Sequence, residues 1–266
     1  KLKAVDFAGG TAVHINAGTA GLVLALILGK RHGWPGTPMR PHNLPFVMLG
    51  AGLLWFGWYG FNAGSATSSG GLAGSTFVTT TVATAAAMLG WLLTERIRDG
   101  HATSLGAASG IVAGLVAITP SCSSVNVVGA LVIGVVAGIL CALAVGLKFK
   151  FGYDDSLDVV GVHLVGGIIG TLLVGLVAAP EAGAGVTGLF YGGGWDQLWR
   201  QAVGAGGVLL YSAIGTAILA LIVKYTVGLR LDREDEASGI DESEHAESAY
   251  DFATAGTGSV IGRSEV

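Results

Sequence analysis

Two histidines sit in the middle of apolar runs, each eight residues after an aspartate: "DFAGGTAVHINAGTAG" (Asp6 to Gly21) and "DSLDVVGVHLVGGIIG" (Asp155 to Gly170). Aligned on His14 and His163, Val13 matches Val162, Gly18 matches Gly167 and Gly21 matches Gly170, besides the two aspartates. A neutral imidazole offers one donor and one acceptor. It suits a path lining that hydrogen-bonds a small polar solute, or a mutual hydrogen bond that fixes the tautomers of a pair. A single intramembrane histidine reads equally well as a tie between helices. A symmetric pair favours function, because ionisable groups in a bilayer are costly and line pathways. The aspartates have a plainer reading: each starts a helix, where a carboxylate caps free N–H groups and suits the dipole. Eight helical residues advance about 12 Å. That places each aspartate near a membrane surface and each histidine near the midplane.

The elements that must position these residues are long apolar helices. Of 266 residues, 52% are hydrophobic and only 12% charged, with a mean hydropathy of +0.66. A soluble domain carries about 25% charged residues, so the composition describes an all-α polytopic membrane protein. Seven candidate spans emerge: Asp6–Gly29, Pro45–Ser65, Ser75–Thr94, Ser104–Thr119, Val127–Leu147, Leu157–Ala179 and Ala202–Val227. The runs are continuous rather than alternating, which fits helices better than barrel strands. The fourth is short and rich in Gly and Ala, as expected of a helix enclosed by others. Cys122 and Cys141 lie in a loop and an apolar run, and no disulfide is expected.

Basic residues set the orientation. Lys30, Arg31, Arg40, Arg96, Arg98, Lys148, Lys150, Lys224 and Arg230 fall in alternate connections or after the last span. The intervening loops hold none, with Arg200 at the edge of one. The expected placement is multi-pass in the cytoplasmic membrane, with Asp6 outside and the C-terminus cytosolic. The first and sixth spans then run in opposite directions, the mark of an inverted repeat whose interface holds the substrate path. Lys1 and Lys3 fall on the wrong side, which a boundary remnant would explain; no signal peptide is read. Ten of the eighteen acidic residues lie in residues 232–266. The chain therefore divides into a transmembrane part (1–228), a cytosolic tail (229–252) and a C-terminus (253–266) expected to be disordered.

A third stretch, "LLWFGWYGFNAGSA" (Leu53 to Ala66), crowds aromatic rings onto one helix. An aromatic belt or helix packing accounts for most of them. Trp58 and Phe61 share a face, and Ser65 follows one turn later. A ring face attracts a small cation, and a nearby hydroxyl can accept its hydrogen bond.

The segments "DFAGGTAVHINAG", "GWYGFNAGSA", "GLVAITPSC" and "DVVGVHLVGGIIG" resemble the signature segments of the ammonium transporter (Amt/Mep/Rh) family, nearest its bacterial Amt branch. The resemblance runs from Asp6 to about Phe252. It implies about eleven spans built from two inverted five-helix halves, in homotrimers with one pore per subunit. The first span here then corresponds to the fifth helix of that fold and the rest to helices six to eleven, with four preceding helices absent from this chain. By resemblance, His14 and His163 are the twin pore histidines and Phe61 the inner ring of a paired phenylalanine gate. Ser65 is the hydroxyl of the outer ammonium site. Trp58, Leu54 and Val159 line the pore. Asp6 lies near the outer site and acts indirectly, and Asp155 is its inverted counterpart. The tail keeps Arg230, Gly239, Asp241, His245, Glu247 and Tyr250 at family-like spacing. That implies regulation through subunit contacts and a PII-type signal protein, rather than a merely solvated acidic segment.

The implied function is transport, not catalysis. Ammonium and potassium are alike in size and charge, but only ammonium donates directed hydrogen bonds and can lose a proton. A narrow apolar pore penalises any bare ion by at least several kcal/mol, so neutral ammonia is what crosses. Ammonium, and methylammonium as its analogue, would dock at the outer site, lose a proton, and pass the histidines as the neutral base. No cofactor, metal or nucleic-acid partner is implied. Two other readings remain at this stage. In one, His14 and His163 are axial haem ligands of a redox subunit, although the glycines favour tight packing over a wide slot. In the other, the same pore serves an ammonium sensor, for which the short tail leaves little room for an effector domain.

Overall fold

The computed structural model describes residues 2–248 and 250. The expected disorder of 253–266 and the end of the tail resemblance at Phe252 lie outside these residues. All regular structure among the described residues is helical. A π-helical turn, Gly10–Ile15, leads into α1 (Asn16–Leu28). There follow α2 (Leu44–Asn62), α3 (Gly71–Arg98), α4 (Ser104–Ile118), α5 (Val127–Ala144) and the short α6 (Leu147–Phe151). A second π turn, Val160–Leu164, leads into α7 (Val165–Val177), and α8 (Asp196–Thr226) closes the bundle. Two short helices, α9 (Arg233–Ser238) and α10 (Ile240–His245), form the tail.

Six of these stretches are long and apolar enough to cross a membrane, and the 15-residue Ser104–Ile118 is shorter. The fourth expected span is therefore a helix below spanning length. Ten of its residues are buried, and α3, α5, α2 and α7 all pack on it. Helix boundaries follow from local chemistry. The Asn43, Thr103 and Asn126 side chains accept from the N–H groups of Phe46, Gly106 and Gly129 at 3.1, 2.8 and 2.9 Å, starting α2, α4 and α5. Such caps satisfy N–H groups that have no partner within the helix. α3 and α8 each extend beyond the apolar window into charged residues, because Arg96, Arg98 and Asp196 are long or terminal enough to reach water.

The centre of the bundle is α3 against α5 and α4. This contact is made of small residues: a Cβ on Gly138 would stand 2.2 Å from the Ala87 carbonyl oxygen. Without a hydrophobic drive between helices in lipid, such close approach supplies the packing energy. α8 lies outside α1 and α7 and is tied to them by buried polar groups. Gln201 accepts from Val5 N at 2.7 Å and donates to the Val5 and Thr171 carbonyls at 2.7 and 3.0 Å. Cys122 and Cys141 are buried free thiols.

Connections alternate between the two ends of the bundle. One end gathers the basic segments: Arg31 pairs with Asp154, Arg98 reaches the Ala142 carbonyl at 2.9 Å, and Arg230 reaches the Leu28 carbonyl at 3.0 Å. The other joins Phe7 to Pro120 and Ala179 to Ser124 through backbone bonds.

Candidate functional site

The two π turns each contain one of the paired histidines, at Gly10–Ile15 and Val160–Leu164. Each turn is held by the aspartate that precedes it. Asp6 accepts from Thr11 N and Ala12 N at 2.9 and 3.0 Å. Asp155 accepts from Val159 N and Val160 N at 3.1 and 2.7 Å. A wide turn shifts the register of the side chains beyond it, and such turns recur at functional sites. The glycines complete the arrangement. A Cβ on Gly18 would lie 2.3 Å from Leu164 N, and one on Gly167 would lie 3.1 Å from Ile15 N. Each histidine segment thus presses its i+4 glycine against the residue that follows the other histidine.

That approach brings Nδ1 of His14 to 3.3 Å from Nδ1 of His163, at the long end of hydrogen-bond range. One ring must donate and the other accept. His14 is buried, and its Nε2 has no hydrogen-bond partner among the described residues. An iron held trans between two imidazoles, as in a bis-histidine haem, needs bonds of about 2.0 Å on each side, or about 4 Å between nitrogens. The 3.3 Å separation leaves no slot for a haem iron.

α2 covers the pair with rings. Trp58 stacks on His14 with centroids 5.2 Å apart, and Phe61 meets His14 edge-on at 6.2 Å. Trp58 and Phe61 meet at 5.4 Å. Ser65 lies one turn beyond Phe61, and its hydroxyl donates to the Phe61 carbonyl at 2.7 Å, which leaves its lone pairs free to accept. Leu54 lies one turn before Trp58. It lines a cavity of about 890 Å³ that runs from the basic end of the bundle to His163. Trp91, Val112 and Val162 form its apolar part, and Glu95, Arg98 and Lys148 its mouth. Asp158, also at the mouth, pairs with Lys148 at 2.6 Å. Val159 does not line this cavity; its side chain packs where a Cβ on Gly21 would meet it at 3.1 Å. The structure therefore brings His14, His163, Trp58 and Phe61 together, sets Leu54 on the cavity below, and keeps Asp6, Asp155 and Val159 on the backbone and packing side.

A model of the family described as "Ammonium Transporter Family" matches residues 1–250. This chain belongs to the ammonium transporter family. An ammonium transporter of Mycobacterium tuberculosis is 77% identical over 267 residues, covering 98% of this chain and 56% of that protein. The crystal structure of Saccharomyces cerevisiae Mep2 superposes with a TM-score of 0.81 at 39% identity, over 88% of this chain and 55% of that one. A solved structure described as a sensor Amt protein gives a TM-score of 0.82 at 33% identity, over 91% and 60%. The chain thus spans little more than half the length of these family members.

Asn62 and Thr119 lie in the segments "GWYGFNAGSA" and "GLVAITPSC" without a role assigned to them there, and Thr80 lies in neither. The Trp58 indole N–H donates to Thr119 Oγ1 at 2.9 Å, and Thr119 Oγ1 lies 3.2 Å from Asn62 Oδ1 and 2.6 Å from the Leu115 carbonyl. Asn62 in turn donates to Thr80 at 3.1 Å. Asn62, Thr80 and Thr119 are fully buried. An asparagine inside the apolar run of α2 was the available signal, since a buried amide in lipid must find partners. The tail residues lie apart from the pore. Arg230 pairs with Glu236 at 2.8 Å, and Tyr250 meets His42 at 2.8 Å. Gly239 separates α9 from α10 at φ 113. Asp241 and His245 lie on α10, which makes contacts with α9, and the Glu247 amide bonds back to the Asp241 carbonyl.

Proposed function

We propose that this chain carries the histidine-lined half of an ammonium transporter pore. Ammonium is recruited at an outer aromatic and hydroxyl site that includes Phe61 and Ser65. It loses a proton there and crosses as ammonia past His14 and His163. The observation that carries this reading is the histidine pair at 3.3 Å, with His14 buried and His163 half-buried, roofed by Trp58 and Phe61 and opening below into an apolar cavity. With the two Nδ1 atoms engaged with each other, Nε2 of His14 is the atom left to meet a small solute. A neutral solute that both donates and accepts fits such an atom, and a bare cation does not.

The alternation of basic connections supports an orientation with Asp6 outside and the tail in the cytosol. The matching caps, π turns and glycines of the two histidine segments support an inverted-repeat fold of eleven helices, of which this chain supplies the fifth onward. In that frame 1–228 is the membrane part and 229–252 a regulatory tail, in a homotrimer that answers to a PII-type protein. The likeness to a sensor Amt protein favours a second reading, the same pore with signalling output.

The test is methylammonium uptake with current recording, on the protein at the full length of its relatives. His14→Ala and His163→Ala are each expected to abolish selective flux while the protein remains folded. Selective flux that persists in both variants would refute the pore reading. An intact protein that binds ammonium without transporting it would favour the sensor.

A further inference from the structure

The loop that follows α1 and the segment that follows α8 are about two hundred residues apart in sequence and meet at the basic end of the bundle. Between them lies a second cavity of about 460 Å³, lined by Lys30, Arg31, His32, Trp34, Arg230 and Arg233. It shares Arg31 and Trp34 with the larger cavity. Four permanent cations face one another here, and no carboxylate is among the residues that line the space. Two of the four are matched from behind. Arg31 grips Asp154 with Nη2 at 2.9 Å and Nε at 3.1 Å, and Arg230 holds Glu236 at 2.8 Å. Lys30 and Arg233 have no ion-pair partner among the described residues. The Lys30 ammonium instead sits 4.9 Å from the centre of the Trp34 ring.

Such a space calls for an anion with several acceptor oxygens. Arginine recognises phosphate oxygens through its planar fork, and lysine as a point charge. The surroundings indicate where the anion comes from. α1 ends at Leu28, with Leu26 and Leu28 exposed. Trp34 stacks on Phe149 with centroids 6.2 Å apart, and tryptophan with a basic neighbour is characteristic of the headgroup level. Basic residues next to a spanning helix attract anionic headgroups. A free phosphate would neutralise the same cations but would not explain the apolar and aromatic edge.

We propose that this cavity is a binding site for a phosphate-bearing anion, the headgroup of an anionic phospholipid, held between Lys30 of the α1–α2 loop and Arg233 of α9. The bound phosphate bridges the loop and the tail, and so strengthens the contact that Arg230 already makes with the end of α1. The site lies apart from the histidine pair, and the inference holds whether or not the pore conducts.

The test is binding of short-chain phosphatidylglycerol, against phosphatidylcholine, to the protein at the full length of its relatives, counted by native mass spectrometry. Lys30→Gln/Arg233→Gln removes the two unpaired cations, both exposed. Arg96→Gln/Lys150→Gln removes two exposed cations at the same end but outside the cavity. The first variant should weaken phosphatidylglycerol binding about tenfold or more, and the second should leave it nearly unchanged. Displacement of the lipid by millimolar inorganic phosphate would assign the seat to free phosphate; failure to displace it assigns the seat to the headgroup. Equal weakening in both variants, or in neither, would overturn the proposal. So would preferential binding of a peptide of residues 232–247 with no preference for phosphatidylglycerol, which would give the cavity to the acidic tail of a second copy.

Discussion

At the scale of single residues, the site depends on how rings are held against each other. Trp58 can stack on His14 only while its indole N–H is satisfied, and Thr119 supplies the acceptor. Thr119→Val keeps the shape and removes the hydroxyl, which strands the Trp58 N–H and deprives Asn62 of a partner. The expected cost is about 1–3 kcal/mol. Thermal unfolding of Thr119→Val beside Thr119→Ser checks it, with the serine retaining most of the stability. Phe61 bears on selectivity more than on folding, because it is half-buried and meets His14 edge-on. Phe61→Ala should admit water above the histidines and weaken discrimination between ammonium and potassium, read as current carried by each ion in the full-length protein. Conduction with unchanged selectivity would make Phe61 a packing residue.

At the scale of elements, the two histidine segments are positioned by caps and glycines rather than by their own propensity. Asp6→Ala and Asp155→Ala each leave two backbone N–H groups without an acceptor. About 0.5–2 kcal/mol of stability should be lost per site, seen as a lower unfolding midpoint. Asparagine retains one acceptor oxygen and should recover part of the loss, whereas a role that requires the charge would leave it as impaired as alanine. The tail contact carries a pH dependence of its own. Its hydrogen bond from Arg230 holds the Glu236 carboxyl below the usual glutamate range, helped by the His32 amide. A lowered folded-state value means that the contact is fully present above the usual glutamate range and is lost as pH falls through the folded value. Hydrogen exchange at the His32 amide, corrected for intrinsic rates, should stay flat near neutral pH and lose protection only in acid. Loss of protection between pH 6 and 8 would refute control by this carboxylate.

At the scale of the whole molecule, the α2 side of the site is thinly covered. Phe56 is 76% exposed and Leu53 62%, and Leu54, on the wall of the large cavity, is 44% exposed. The chain spans 56% of its mycobacterial relative. Residues 1–266 expressed alone are therefore expected to show no methylammonium uptake, while the same residues joined to the preceding part of a full-length relative should support it. Selective uptake by the 266-residue chain would show that these helices seal a pore unaided.

Composition determined the membrane class, because 12% charge over such long apolar runs leaves no other way to bury them. The matched spacing of Asp6, His14, Gly18 and Gly21 with Asp155, His163, Gly167 and Gly170 was legible for the same reason: few residue types are tolerated in lipid, so each polar exception carries information. Sequence spacing also placed Trp58 and Phe61 on one face of α2, with Ser65 a turn beyond Phe61. Other features depend on contacts between segments far apart in the chain. An α-helical reading cannot distinguish an ordinary turn from the π turns that carry both histidines, because the difference is one hydrogen-bond register set by Asp6 and Asp155. The link from Trp58 through Thr119 to Asn62 and Thr80 joins three helices, and no local pattern encodes which hydroxyl meets which amide. The resemblance gave Val159 to the pore wall, and its contact at the Gly21 position is a matter of packing that the sequence does not encode. The basic cavity formed only when the tail folded back on the α1–α2 loop. Lys30 and Arg233 are surface cations in sequence, and only tertiary structure sets them around one space, where their charges reinforce each other.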